Sequence, residues 1–261
     1  MKAKSDVTQA LAITGAGRGI GRAIALHMAR DGWVVALSDV DPAGIANVAA
    51  EIQAGGGRAL AETVDVTDHT AVAAWVNAVD DELGGLSGAV ANAGVISVKP
   101  FLDLTPEIWR RVMSVNLDGT FHFVHPVARR MAARGAGSIV IMASASSRTG
   151  SFAISVYGSS KTALHGLTRC MALELGPLGV RVNAVSPGVV DTSMWELIDR
   201  ERGRLLGKRP GELLAASTER IPLGRLETPE DVAKIVAYLL SDESDYMTGQ
   251  NISYDGGMMM P

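Results

Sequence analysis

The chain has 261 residues, 47% of them hydrophobic and 20% charged, with a formal net charge of −4. That fits one large α/β domain or two small ones with a full core, and the acidic balance argues against nucleic acid or an anionic membrane as partner. The single Cys170 excludes an intrachain disulfide and fits a reducing compartment, the opening MKAKSDVTQA has no apolar leader core, and no run reaches the ~18 apolar residues of a membrane span. A cytoplasmic protein is expected.

The first element is the apolar run Ala10–Thr14, a strand that ends at Gly15. Ala16, Gly17, Arg18, Gly19, Ile20 and Gly21 follow, then an amphipathic stretch with Ile20, Ala23, Ile24, His27 and Met28 on one face. Strand, glycine turn and helix in that order make a place where backbone approaches a pyrophosphate at a positive helix N-terminus. The pattern Thr-Gly-x-x-x-Gly-x-Gly lacks the Gly-Lys-Ser/Thr ending of a P-loop. A second strand, Trp33–Ser38, ends at Asp39. An acid there accepts hydrogen bonds from ribose hydroxyls and repels a 2′-phosphate, so NAD is expected over NADP, although Arg18 in the turn is a basic residue of the kind that meets such a phosphate. Asp41, followed by Pro42, reads instead as the cap of the next helix.

Ala59–Val64 reads as a third strand, running into Asp65 and Val66. Ala71–Leu83 is a helix closed by Gly84 and Gly85, and Ser87–Ala91 a strand ending at Asn92, Ala93 and Gly94. Thr105 and Pro106 open a long helix running towards Arg134, with Asn116 inside it. Ser138–Ala143 is the fifth strand, and Ser144 stands at its end. The next helix carries Tyr157 and Lys161, then Leu164, Leu167, Met171 and Leu175. Arg181–Ser186 is the sixth strand, stopped by Pro187 and Gly188. Residues 189–217 read as an irregular, polar binding loop or lid over a site. A last amphipathic helix (Val232 to Leu240) and a short strand (Asn251–Tyr254) complete the chain.

Alternating strands and helices give a doubly wound, Rossmann-type parallel sheet of about seven strands with helices on both faces, as a single domain over 1–261. Gly15, Asp39, Asp65, Asn92, Ser144 and Pro187 all fall at strand carboxyl ends, where such sheets bind ligands. Tyr157 and Lys161 lie four residues apart, hence on one helix face. The spacing alone more often marks a surface tyrosine beside a solvated lysine. At this edge of the sheet, an ammonium one turn from a phenol lowers its pKa and makes a pair able to exchange a proton with an alcohol oxygen.

The assembled motifs resemble the short-chain dehydrogenase/reductase family: TGAGRGIG at Thr14–Gly21, Asp65-Val66, Asn92-Ala-Gly94, Asn116, Ser144 thirteen positions before Tyr157, Lys161, and PGVVDT at Pro187–Thr192. The resemblance implies that Tyr157 is the acid–base residue and that Ser144 holds the substrate oxygen. It implies that Lys161 lowers the tyrosine pKa and holds the nicotinamide ribose, and that Asn116 holds a water leading to Lys161. Gly15, Arg18, Gly19, Ile20, Gly21, Asp39, Asp65, Val66, Asn92, Gly94, Pro187, Val190 and Thr192 would then bind the cofactor, with Ser144, Ser146, Tyr157 and Trp195 towards substrate. No metal is expected: the histidines include no His-Glu-x-x-His, and His122 with His125 gives only two ligands. No Gly-x-Ser-x-Gly elbow occurs.

Within the family the carboxyl-terminal half is similar to acetoin, 2,3-butanediol and sorbitol-type polyol dehydrogenases. Ala145 stands where those relatives often carry a glutamine, which leaves room for bulkier alcohols. The expectation is an NAD-dependent secondary-alcohol dehydrogenase, with a small alcohol or ketone as partner, assembled as a homotetramer. Alternatives are an NADPH-dependent 3-oxoacyl thioester reductase, to which Arg129, Arg130 and Arg134 could dock a carrier protein, and a non-catalytic dinucleotide sensor.

Overall fold

The computed structural model describes residues 9–260; all but the last two residues of the opening stretch read for a leader lie outside that range. Short runs rich in Ala, Val and Ile build seven strands: β1 (Ala10–Thr14), β2 (Val34–Asp39), β3 (Ala59–Thr63), β4 (Gly88–Ala91), β5 (Gly137–Met142), β6 (Val180–Pro187) and β7 (Asn251–Tyr254). They form one sheet in the order β3-β2-β1-β4-β5-β6-β7, with parallel pairings throughout. β1 is buried along its whole length, as a strand covered on both faces must be.

The helices are α1 (Gly19–Arg30), α2 (Pro42–Ala54), α3 (His69–Glu82), α4 (Pro106–Met113), α5 (Gly119–Arg134), α6 (Ser155–Leu175), α7 (Ser193–Leu205), α8 (Glu212–Thr218) and α9 (Pro229–Leu240). Ile24, Met28, Val48 and Val236, from α1, α2 and α9, pack on one face of the sheet. Val72, Trp75, Phe123, Val127 and Leu164, from α3, α5 and α6, pack on the other, where the Trp75 and Phe123 rings stack at 5.7 Å. The chain winds outward in both directions from the β1–β4 pair, so the crevice of a doubly wound sheet opens beyond those two strand ends. Among the described residues no helix is long and apolar enough to cross a membrane.

Three expectations are corrected. The segment 189–217 is mainly two helices, α7 and α8, rather than an irregular loop. Asp199 on α7, 7% exposed, accepts from Gly211 N at 2.6 Å and Leu214 N at 2.9 Å, which ties the second helix to the first. The long helix from Pro106 is α4 and α5 joined by a π turn over Ser114–Asp118 with Asn116 at its centre. The third helix starts at His69, because the Asp68 carboxylate caps Thr70 N and Ala71 N. Asp41 caps α2 as read, accepting from Ala43 N and Gly44 N at 3.1 Å each.

Candidate active site

A cavity of about 840 Å³ runs along the carboxyl edge of the sheet. Gly15, Arg18, Gly19, Ile20, Asp39, Asp65, Val66, Asn92 and Gly94 line one part of it; Ser144, Ser146, Tyr157, Lys161, Pro187, Val190, Thr192 and Trp195 line the rest. Most of the residues expected from sequence therefore meet in one space. Gly21 and Asn116 do not line it and act on it from behind.

The glycine turn is shaped by contacts that exclude a side chain. Gly15 has φ +66°, and a Cβ on it would lie 2.8 Å from Ala93 Cα. A Cβ on Gly21 would lie 2.2 Å from Gly15 O and 2.6 Å from Asn92 Nδ2. Asn92 is the clamp: its Nδ2 donates to Thr14 O (3.1 Å) and Gly15 O (2.9 Å), while Thr14 Oγ1 accepts from Asn92 N and Ala93 N. Asn92 thus fixes the turn from the end of β4 while lining the same cavity. Asp39 accepts from Gly17 N (2.9 Å) and Asp41 N (3.1 Å), which aims its carboxylate at the turn and leaves acceptor sites free. Asp65 takes both Thr67 N and Thr67 Oγ1 on one oxygen, an Asx turn that keeps the other facing outward. Arg18 is exposed.

On the other side, Ser144 caps a short 3₁₀ turn, its Oγ accepting from Ser146 N at 3.2 Å and from Ser146 Oγ at 2.9 Å. Ser146 thus braces Ser144 and lines the cavity beside it. Tyr157 packs beside Met194 and Trp195 against Ile96, Ile154, Ile198 and Leu213, and Trp195 is itself partly buried in that wall. Lys161 is 4% exposed; its Nζ donates to Met142 O at 2.7 Å and lies 5.9 Å from the Tyr157 ring centroid. The expectation that the lysine lowers the phenol pKa is corrected here. Burial pushes Tyr157 up, only the Ser144 hydrogen bond draws it down, and burial also lowers Lys161 to about 8.

Asn116 is fully buried, and its side chain is occupied: Oδ1 accepts from Val95 N at 2.8 Å, and Nδ2 donates to Val95 O and Ser160 Oγ at 3.0 Å each. A Cβ added to Gly94 would touch both Asn116 Oδ1 and Lys161 Nζ at 3.5 Å, so the two polar atoms converge there. Asn116 acts as a brace, and π turns recur at such working positions.

Sequence reasoning missed two networks. Ser147 donates to the Ser144 carbonyl and bonds His165 Nε2 at 2.8 Å, while Asn251 Nδ2 lies 2.9 Å from His165 Nδ1. Glu227, 7% exposed, accepts from Gly188 N at 2.8 Å through Oε2 and leaves Oε1 buried without a partner. Asp255, 6% exposed, has an orphaned Oδ2, and its Cβ lies 2.9 Å from where a Gly188 Cβ would be. Burial pushes Glu227 up to about 8, helped by Asp231 and Asp255 and opposed by the Gly188 N–H and Arg225. Its backbone also bridges Val190, so a buried acid underlies the Pro187–Thr192 segment. Set among Arg225, Thr228, Glu230 and Asp231, Glu227 gives no signal of burial in the sequence.

Comparison with known proteins agrees with this geometry. Residues 15–259 match the family model described as "Enoyl-(Acyl carrier protein) reductase". Galactitol 2-dehydrogenase of Agrobacterium fabrum is 39% identical over 249 residues, covering 95% of this chain and 96% of the relative. L-2,3-butanediol dehydrogenase of Corynebacterium glutamicum is 37% identical over 250 residues, covering 95% and 97%. The crystal structure of an NAD+-bound xylitol dehydrogenase superimposes with a TM-score of 0.92 at 32% identity, covering 97% of this chain and all of that one. With a parallel sheet of this order and relatives of this extent, the chain belongs to the short-chain dehydrogenase/reductase family.

Proposed function

We propose that the protein interconverts a secondary alcohol and its ketone with NAD as hydride carrier, the substrate being a diol, polyol or similar alcohol like those in its relatives' names. The observation that supports this reading is the opening of Ser144, Tyr157 and Lys161 onto the same cavity as the glycine turn and Asp39. The cradle suits a dinucleotide: Gly15 and Gly21 leave no space for a side chain, and an acid at the β2 end meets a ribose diol but repels a phosphate. Gly15, Gly19 and Ile20 would hold the pyrophosphate, with Arg18 beside it. Asp39 would hold the adenosine ribose, Asp65 and Val66 the adenine, Gly94, Pro187, Val190 and Thr192 the nicotinamide side. When bound, the nicotinamide supplies a hydride acceptor.

The chain's residues handle the proton. Ser144 Oγ, oriented by Ser146, donates to the substrate oxygen and stabilises charge that develops there. The phenol of Tyr157 is protonated at neutral pH in the cofactor-free chain, which suits it to protonate a ketone oxygen. In the oxidative direction it must first lose its proton and then accept the one leaving the alcohol, so that direction is favoured by alkaline pH. Lys161 supplies positive charge beneath the ring. Trp195, Met194 and Ile198 exclude water from that end. A tetramer would bury the exposed Trp109, Phe121 and Leu173 on α4, α5 and α6. A panel of diols, polyols and ketones with NAD(H) and NADP(H), read at the nicotinamide absorbance, tests the proposal; preference for NADPH with 3-oxoacyl thioesters would replace it.

A further inference from the structure

Two cations at the lid end of the cavity have no counter-ion. Trp195, Ile198 and Arg202 stand at i, i+3 and i+7 on α7; Leu213, Ser217 and Arg220 stand at i, i+4 and i+7 along and just beyond α8. Trp195, Ile198 and Arg202 share one face of α7, Leu213 and Ser217 one face of α8 with Arg220 in the turn that follows it, and all six residues line the cavity. Two acids also line it, Asp39 and Asp65, and both belong to the glycine-turn side described above. Among the described residues neither arginine has an ion pair or a side-chain hydrogen bond, and Arg202 Nε is buried without a partner. The two guanidinium groups also repel each other: burial, then Arg220, works against the charge on Arg202. Arg220 is exposed and solvated, whereas Arg202 is half-buried with its Nε orphaned; a planar oxyanion entering the cavity would partner that Nε, accepting paired N–H bonds from the arginine fork. Asp199 does not neutralise them, since both its oxygens are taken by Gly211 N and Leu214 N.

Resting on the alcohol-dehydrogenase reading above, we infer that the substrate carries a terminal oxyanion, a carboxylate first, which Arg202 and Arg220 grip while its carbinol lies at Tyr157 and Ser144. Trp195, Ile198 and Leu213 then cover an apolar middle. The seven residues from Trp195 to Arg202 rise roughly 10 Å along the helix, so the arginine stands about two turns beyond the tryptophan that packs beside Tyr157.

The test uses the full chain with NAD+ and three hydroxy acids of increasing reach, 3-hydroxybutanoate, 4-hydroxypentanoate and 5-hydroxyhexanoate, each beside its neutral amide. At least one acid should exceed its amide in kcat/KM by roughly tenfold to hundredfold, mainly through KM, as the loss of a charge-assisted contact predicts. In R202M/R220M that acid-to-amide ratio should collapse towards one, and R202K should restore part of it. Cyclohexanecarboxylate should bind the NAD+-loaded protein in calorimetry, more weakly in R202M/R220M and at high salt; cyclohexanesulfonate in the same titration distinguishes a carboxylate from a sulfonate site. Amides oxidised as well as every acid, or arginine variants that lower acid and amide equally, would overturn the inference and leave the dehydrogenase reading standing. If 2,3-butanediol, the acids and the amides all fail to reduce either cofactor, the dehydrogenase reading fails, and this inference with it.

Discussion

Glu227→Gln isolates a buried acid in the support of the Pro187–Thr192 segment. The amide oxygen of Gln can keep the Gly188 N–H bond, so the substitution removes the titration while preserving the contact. The folded-state pKa of Glu227 is raised to about 8 from 4.5. Between these values the folded chain holds a proton that the unfolded chain releases, so its contribution to stability falls as pH rises and is fully lost above the folded pKa. The slope is about 1.4 kcal/mol per pH unit, and from pH 5 to pH 8 it accumulates to about 4 kcal/mol, an upper figure that water entry and rearrangement around Asp255 reduce. The measurement is urea unfolding of wild type and E227Q at half-unit steps over that range. The variant should gain on wild type steadily with pH, by at least about 2 kcal/mol in all. A difference that stays flat within about 0.5 kcal/mol would show that Glu227 is ionised in the fold or reached by water, and the reasoning from its burial would fail.

Other outcomes follow from the same geometry. Tyr157→Phe should lower turnover by at least about a thousandfold while NAD+ still binds by calorimetry; substantial retained turnover refutes its acid–base role. Because burial raises the Tyr157 pKa, alcohol oxidation should climb with pH through the alkaline range while ketone reduction falls, and parallel profiles in both directions would count against it. Asp39→Ala should raise the NADP+/NAD+ ratio of kcat/KM by roughly tenfold or more, and an unchanged ratio would remove the ribose contact. Gly21→Ala forces a Cβ to 2.2 Å from Gly15 O, so the variant should lose several kcal/mol in chemical denaturation or fail to accumulate; near-native stability would mean the turn yields easily.

The frame was legible because each strand announces itself twice, by a short apolar run and by the turn residue that stops it. Thr14-Gly15, Ser38-Asp39 and Ala91-Asn92 mark carboxyl ends, and the structure brings those ends together. What was not legible depends on three-dimensional surroundings. The Tyr157–Lys161 spacing gives the shared face, but the direction of the phenol shift depends on how much water the fold removes, and burial reversed it. Residues 189–217 looked irregular because charged residues dominate the α7 sequence; its helix is set by a narrow apolar stripe and by the brace from Asp199. The π turn at Asn116 covers only the five residues Ser114–Asp118, too short a stretch for its wider turn to be told from the α-helical periodicity on either side.

The clamp from Asn92 and Thr14 has a thermodynamic consequence. Four hydrogen bonds between the ends of β1 and β4 hold the glycine-turn backbone, proposed above to take the pyrophosphate, in shape before any ligand arrives. Dinucleotide association should therefore carry the heat-capacity change of surface burial alone, without the larger increment that accompanies a segment folding onto its ligand. Asn92→Ala should shift entropy, more than enthalpy, against association, as a loosened loop must be ordered anew at each encounter.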